Sequence, residues 1–435
     1  MRIALVNPNT LHLPGTVLSD DAAIDALVKP GAVWFREFSP NDSLLALAAL
    51  TPEEHELIYM DDQFGTIDPD AKVDLAAIST VTMNADRAYE LAAAFRERGV
   101  HVAMGGIHVT MLPEEAAIHV DTVVTGDADL VWPKFLSDLE CGRPKVRYDG
   151  GYADIKKSPP PRLSILEPER YFRRCFGLEV YDLRTSAGCS RRCRFCANWM
   201  RQGCDRMHKK SLKQVEAELA RIAAFAGPRL LSVSDDNLFL DPRYAAGVMR
   251  LIRDHGFTWI GSGDVSVTKR PELMRLLEES RCRVLCFGLE SLDARNLRWL
   301  APWKARQVPR YREAISVARD HGINVWGSFI AGLEHDDLDV FQRILDFFLA
   351  SSLSSVNVAI LTPYPGTEVR QRLIDEGRLD ISAAWSKYTA FNLLFRHDRF
   401  SSEQVMRKLE WFLRKLASPE IQEHLRRITL RPEGN

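Results

Sequence analysis

The chain has 435 residues, 46% of them hydrophobic and 27% charged, with 57 Lys and Arg against 59 Asp and Glu for a formal net charge of −2. That length allows two or three domains with sizeable cores, and the near-neutral balance excludes a bulk polyanion binder or a charge-driven membrane binder. Eight cysteines do not describe a secreted disulfide framework, and no run of about 18 apolar residues marks a membrane span.

Met1-Arg-Ile-Ala-Leu-Val-Asn-Pro8 reads as a strand rather than a signal peptide, so a cytoplasmic protein is expected. Residues 1–145 alternate strand and helix patterns. Strands are predicted at Ile3–Val6, Glu56–Met60, Leu75–Thr80, Val100–Gly106 and Thr122–Gly126, with helices over Leu44–Leu50 and Ala85–Arg98. Such alternation predicts a doubly wound, Rossmann-like parallel sheet whose ligand sits at the C-terminal strand ends. Ser79, Thr80 and Thr82 fall at one such end, and Gly105-Gly106 at another, where a backbone can approach a bulky ligand closely.

Residues 146–180, with Ser158-Pro-Pro-Pro161 inside them, read as an extended linker. From there the pattern restarts. Strand candidates run at Val180–Ser186, Leu230–Ser234, Trp259–Ser262, Val284–Gly288, Val325–Ile330 and Val356–Leu361, with helix-period stretches between them. Six β/α units over 181–365 predict a partial (β/α)6 barrel, and 366–435 predict a small, mainly helical region. Its aromatic stretch, Trp385, Tyr388, Phe391 and Phe395, fits either core packing or closure of a cavity at the open side of the barrel.

The loop after the first barrel strand carries Cys189, Cys193 and Cys196 at C-x3-C-x2-C spacing. Three thiolates on one short loop can hold three irons of a cubane cluster and leave the fourth iron open to another ligand. Zinc normally recruits four protein ligands, which leaves a distorted site using Cys204 or His208 as the alternative. Acidic or small polar residues end the following strands: Asp235 and Asp236, Ser262, Glu290 and Ser291. Singly, each could equally cap the next helix. Cys282 and Cys286 stand four apart on a strand, hence on one face; they read as core thiols or as a soft metal or metalloid pair. Arg191-Arg192 either tune the cluster and meet an electron donor, or are solvated loop charges.

Cys189-x3-Cys193-x-Phe195-Cys196 resembles the signature of the radical SAM superfamily. The resemblance implies a [4Fe–4S] cluster whose open iron chelates S-adenosylmethionine (SAM), which is reductively cleaved to a 5′-deoxyadenosyl radical. It further implies SAM contacts from Phe195, Asn198, Asp235, Asp236, Ser262, Glu290, Ser291, Ile330 and Gly332, and a flavodoxin- or ferredoxin-type electron donor. Ser328 stands where the family's Gly-x-Ile-x-Gly segment has its first glycine.

Upstream, Gly105-Gly-Ile-His108, Pro113-Glu-Glu115 and Gly126-Asp-Ala-Asp129 resemble the cobalamin-binding domain that precedes this barrel in one large class of the superfamily. That class usually has Gly-Glu-x-Glu as its last element. The resemblance implies cobalamin contacts from Ser79, Thr80, Thr82, Gly105, Gly106, His108 and Gly126. Taken by themselves, His108 and His119 read as hydrogen-bonded structural histidines, and a domain that binds nothing is the plain alternative. No Asp-x-His-x-x-Gly string supplies an axial ligand to cobalt.

The class resembled most often methylates unreactive centres, here of a small specialised metabolite. Its relatives also carry out rearrangement, cyclisation or aminocarboxypropyl transfer without methylation. An iron–sulfur electron-transfer protein would need a fourth cysteine and no SAM pocket. No nucleic-acid or membrane partner is expected.

Overall fold

The computed structural model describes residues 1–9, 40–63, 65, 67–151, 155, 156, 158–167, 174, 175, 178–197, 206–224 and 229–429. Strands β1 (Arg2–Asn7), β2 (Glu56–Asp61), β3 (Leu75–Ser79), β4 (His101–Gly105), β5 (Thr122–Thr125) and β6 (Arg147–Asp149) form one sheet. Its order is β2-β1-β3-β4-β5-β6, and every pair in it is parallel. Its central strands are apolar on both faces because helices cover both; Ile3 to Val6 and Leu75 to Ile78 are all buried. The chain leaves β1 to one side for β2 and to the other for β3, so the crevice of a doubly wound sheet opens at their C-terminal ends.

The sixth strand lies where a linker is expected. Only its Tyr148 is buried, and β5 supplies its pairing. An edge strand of Arg-Tyr-Asp has no apolar run to announce it.

The second sheet holds β7 (Arg174–Cys175), β8 (Leu178–Leu183), β11 (Arg229–Val233), β12 (Thr258–Gly263), β13 (Cys282–Glu290), β14 (Asn324–Ala331) and β15 (Ser355–Ile360). Its last six strands run in chain order and pair in parallel, a curled half-barrel; β7 pairs antiparallel with β8. A two-stranded ribbon, β9 (Ser186–Ala187) with β10 (His208–Lys209), sits between β8 and β11 in sequence.

Local chemistry explains the helix boundaries. Asp241 caps Pro242–Asp254 by accepting from the amides of Arg243 and Tyr244, and Ser401 with Gln404 forms a capping box on Ser402–Leu416. Gly256 (φ 73°) and Gly322 (φ 72°) close two barrel helices in the left-handed conformation that glycine adopts without strain. No helix among the described residues is long and apolar enough to cross a membrane.

The aromatic stretch after the barrel packs as core and as a clamp. Tyr388 and Phe391 are buried, whereas Trp385 reaches the first sheet's helices. Its Nε1–H donates to Glu115 (2.7 Å), its ring meets His108 edge-on (5.0 Å), and the neighbouring Ser386 amide donates to Asp86 (2.8 Å).

Candidate active site

The three-cysteine loop is positioned by the two carboxylates that end β11. Asp235 is buried and accepts four bonds: from the amide (2.7 Å) and hydroxyl (2.6 Å) of Thr185, and from the amide (3.0 Å) and hydroxyl (2.5 Å) of Ser186. Asp236 accepts from the Gly188 amide (2.7 Å), one residue before Cys189. From the other side, Tyr244 Oη and the Lys210 amide both donate to the Thr185 carbonyl. Past Gly188 (φ 84°) the cysteine loop closes with Cys196 N–H on the Cys193 carbonyl, and Arg194 ties it to the barrel rim. The Arg194 amide donates to the Leu300 carbonyl (2.9 Å), its carbonyl accepts from Val369 (3.2 Å), and its guanidinium pairs with Glu368 (3.0 Å) over the Trp299 ring.

Burial pushes the thiols of Cys189 and Cys193 up. Deprotonated ligands there need positive charge delivered into the site, and an iron–sulfur cluster supplies it. The zinc alternative draws on Cys204, which lies outside the described residues. A cubane, larger than one ion, suits thiols spread along a loop.

Several residues expected to touch SAM are engaged within the protein. The carboxylate of Asp235 is filled as above. Glu290 is buried in an ion pair with Lys304 (2.5 Å) and sits at φ 62°, where β13 bulges against β14. Ser291 Oγ accepts from the Asp293 amide (3.1 Å) and from Asn296 Nδ2 (3.2 Å). These bonds tie the strand ends to their neighbours. Ser262 and Phe195 are half-buried; Ile330 is buried, and Gly332 turns the chain after β14 at φ 83°. Asn198, like Cys204, lies outside the described residues.

One correction concerns Cys282 and Cys286. β13 carries one extra residue between its pairings Trp259↔Cys282 and Ile260↔Val284. That insertion inverts the alternation, so the two thiols face opposite sides of the sheet. Cys282 lies in the core beside Trp259 with its thiol toward the Val284 carbonyl, whereas Cys286 senses Glu290 and Lys304. Burial drives both thiols up, as expected of core cysteines.

Between the two sheets lies a cavity of about 300 Å³. Its walls come from the C-terminal ends of β3, β4 and β5 on one side and from Tyr181, Asp182, Arg184 and Ala187 on the other, with Pro159 to Pro161 across the gap. Ser79, Thr80, Gly105, Gly106 and Gly126 line it; Thr82 and His108 do not. His108 is wholly buried and bonds Tyr89 Oη through Nε2 (3.0 Å), which makes it a structural histidine as its residue type alone suggests. Asp42, on the cavity wall, is pushed up to about 8 by burial and by the nearby Asp182 carboxylate. A buried Lys210–Glu218 pair (2.7 Å) stands beside them. No pattern in the sequence marks that cluster of charges.

The cavity floor depends on glycine. A Cβ on Gly106 (φ 104°) would lie 2.3 Å from the Thr80 carbonyl oxygen, and one on Gly126 (φ 69°) 2.2 Å from that of Gly151. Thr110 Oγ1 ties the two loops together, donating to the Gly106 carbonyl and accepting from the Gly126 amide. We expect Gly106→Ala to lose more than about 1 kcal/mol of stability. It should also fail to retain cobalamin through gel filtration while keeping its iron content. Wild-type retention would mean that this floor does not contact the ligand.

Comparison with known proteins agrees with this architecture. The model of the Radical SAM superfamily matches residues 183–348. The chain is similar to the bacteriochlorophyllide d C-8(2)-methyltransferase of Chlorobaculum tepidum, 27% identical over 366 residues that cover 82% of this chain and 81% of the relative. It is also similar to the hopanoid C-2 methylase of Rhodopseudomonas palustris, 25% identical over 79% of this chain and 66% of that protein. Among solved structures, the radical S-adenosylmethionine methyltransferase TsrM from Kitasatospora setae, with cobalamin and a [4Fe-4S] cluster bound, superposes with a TM-score of 0.63. That fold match covers 98% of this chain and 99% of TsrM at 14% identity. With its three cysteines on the loop after the first strand of a parallel half-barrel, residues 183–348 match the Radical SAM superfamily, and the chain as a whole is similar to methyltransferases of that kind.

Proposed function

We propose that this enzyme is a cobalamin-dependent radical SAM methyltransferase acting on an unactivated centre of a small metabolite. The observation that carries the reading is the cavity. It lies at the ligand-binding edge of the first sheet and reaches Ala187, two residues from Cys189. On this reading residues 1–145, extended by β6, are the cobalamin-type Rossmann domain, 181–365 the radical SAM barrel and 366–435 the helical region.

When bound, the cluster and SAM supply radical chemistry and cobalamin supplies a methyl carrier. The chain's own work is positioning. Asp235 and Asp236 fix the approach to Cys189, and Cys189, Cys193 and Cys196 hold the cluster. Gly106 and Gly126 let backbone come close to a flat, bulky ligand, while Pro159 to Pro161 and the Lys210–Glu218 pair wall the cavity from water. No histidine among the described residues lines the cavity, and no axial ligand to cobalt is assigned. Ser262 and Asp236 are the strand-end residues we assign to SAM. Reduction is assigned to an external flavodoxin- or ferredoxin-type donor.

Two measurements test the proposal. Protein produced with cobalamin available should carry its absorption spectrum after purification. Turnover by the reduced holoenzyme should release S-adenosylhomocysteine together with 5′-deoxyadenosine. Deoxyadenosine alone, with an unmethylated product, would move the enzyme to the rearranging or cyclising relatives. No deoxyadenosine from an intact cluster would remove the radical reading altogether.

A further inference from the structure

The short helix Pro302–Ala305, just after the helix that follows β13, brings two side chains to the cysteine loop. Lys304 is buried, 6% exposed, with Nζ donating to the Gly288 carbonyl (2.6 Å) and to Glu290 Oε1 (2.5 Å). The space for this ammonium exists because residue 288 is glycine: a Cβ there would lie 2.7 Å from Nζ. Trp303 is held flat by Arg191, whose guanidinium stacks 4.3 Å above its ring, while Lys304 Nζ lies 5.2 Å from the ring centre. The Trp303 Nε1–H is buried, has no hydrogen-bond partner among the described residues, and belongs to a ring packed against Arg191 of the cysteine loop, near the Cys193 thiol.

A buried N–H beside a sulfur is a poor match for a neutral thiol and a good one for a metal-bound thiolate. Donors to cluster sulfurs and positive charge near them favour the reduced, more negative cluster and so raise its potential. Lys304 Nζ, 5.2 Å from the Trp303 ring centre, brings its buried ammonium to the same side chain.

We propose that Trp303 and Lys304 are positioning residues that set the reduction potential of the cluster held by Cys189, Cys193 and Cys196. Trp303 does so by donating its indole N–H to the Cys193 sulfur, and Lys304 by placing a buried ammonium beside it. The inference rests on the cluster reading above. A wild-type protein that assembles no [4Fe–4S] cluster would sink that reading before this one is reached.

The test is an EPR-monitored redox titration of the reconstituted holoprotein, with iron, sulfide and circular dichroism measured on every sample. Trp303→Phe keeps the ring that Arg191 packs on and removes only the donor. Its midpoint should move to more negative potential, and the reduced fraction at a fixed reductant potential should fall several-fold with unchanged iron content. Lys304→Met would strand the Glu290 carboxylate, so the double variant E290Q/K304M carries the charge arm and should also titrate more negative than wild type. K304R, which keeps the charge, should titrate near wild type. An unshifted midpoint in a cluster-replete W303F protein overturns the proposal. Loss of iron from folded W303F does too, because the indole would then be holding the cluster instead of tuning it.

Discussion

Cys193→Ala is expected to give a folded protein with no stable cluster and no SAM cleavage above background. Cys193 is the most buried of the three loop cysteines, 8% exposed, and the loop is held by contacts that do not use its sulfur. Asp235, Asp236, and the Arg194 bonds to Leu300, Val369 and Glu368 all remain. Truncation to alanine removes one small side-chain group, so the folding loss should be on the order of 1 kcal/mol. The chemical loss is total by comparison. A loop with two thiols cannot satisfy three irons. Cys282→Ala is the control, since that thiol points into the core away from the loop. It should bind iron like wild type and lose only modest stability. Iron and sulfide analysis with deoxyadenosine release decides the matter. A Cys193→Ala protein with a full cluster would mean that the ligand set lies elsewhere.

The parts of this molecule legible in its sequence are those where pattern and chemistry are local. Leu75-Ala-Ala-Ile has no polar residue to mark a solvent face, as a strand covered on both sides requires, and it is buried throughout. The cysteine spacing brings three thiols onto one loop within eight residues, and the structure keeps them on that loop. Illegible are the features decided by what comes near in space. An aspartate at a strand end looks the same whether it receives a ligand or, like Asp235, holds a loop 50 residues away in sequence. Trp303 and Lys304 sit in Ala301-Pro-Trp-Lys-Ala305, a string with no motif, and matter because β13 bulges to meet them. The same limit hid the split of Cys282 from Cys286. Periodicity assumes an unbroken strand, and one inserted residue reverses the face of every position beyond it. Trp385 clamps Glu115 across 270 residues, a distance at which composition carries no signal.

Asp235→Ala should be the most damaging substitution outside the cysteines themselves, and it distinguishes a loop anchor from a SAM ligand. The carboxylate sits in surroundings so buried that desolvation raises its pKa, with the bonds from Ser186 and Thr185 working in the opposite direction. Alanine would leave the amides of Thr185 and Ser186 without an acceptor, in residues that are 0% and 1% exposed. Their hydroxyls can turn to other partners, but the backbone donors cannot. At about 1–3 kcal/mol for each stranded buried donor, the loss should reach several kcal/mol. The run from Thr185 to Gly188 feeds directly into Cys189, so the cluster should be lost with the stability. Asp235→Asn separates the two roles. Its amide oxygen can accept both backbone N–H groups, and the hydroxyls of Thr185 and Ser186 can reverse to accept from its NH₂. The anchor therefore predicts that the asparagine variant keeps most of its urea stability, its iron and its SAM affinity. A carboxylate that bound the amino group of SAM directly would instead give a stable, iron-replete asparagine variant with sharply weakened SAM binding. That pattern would return Asp235 to the ligand set, whereas a preserved affinity alongside a collapsed alanine variant identifies it as the post on which the cysteine loop hangs.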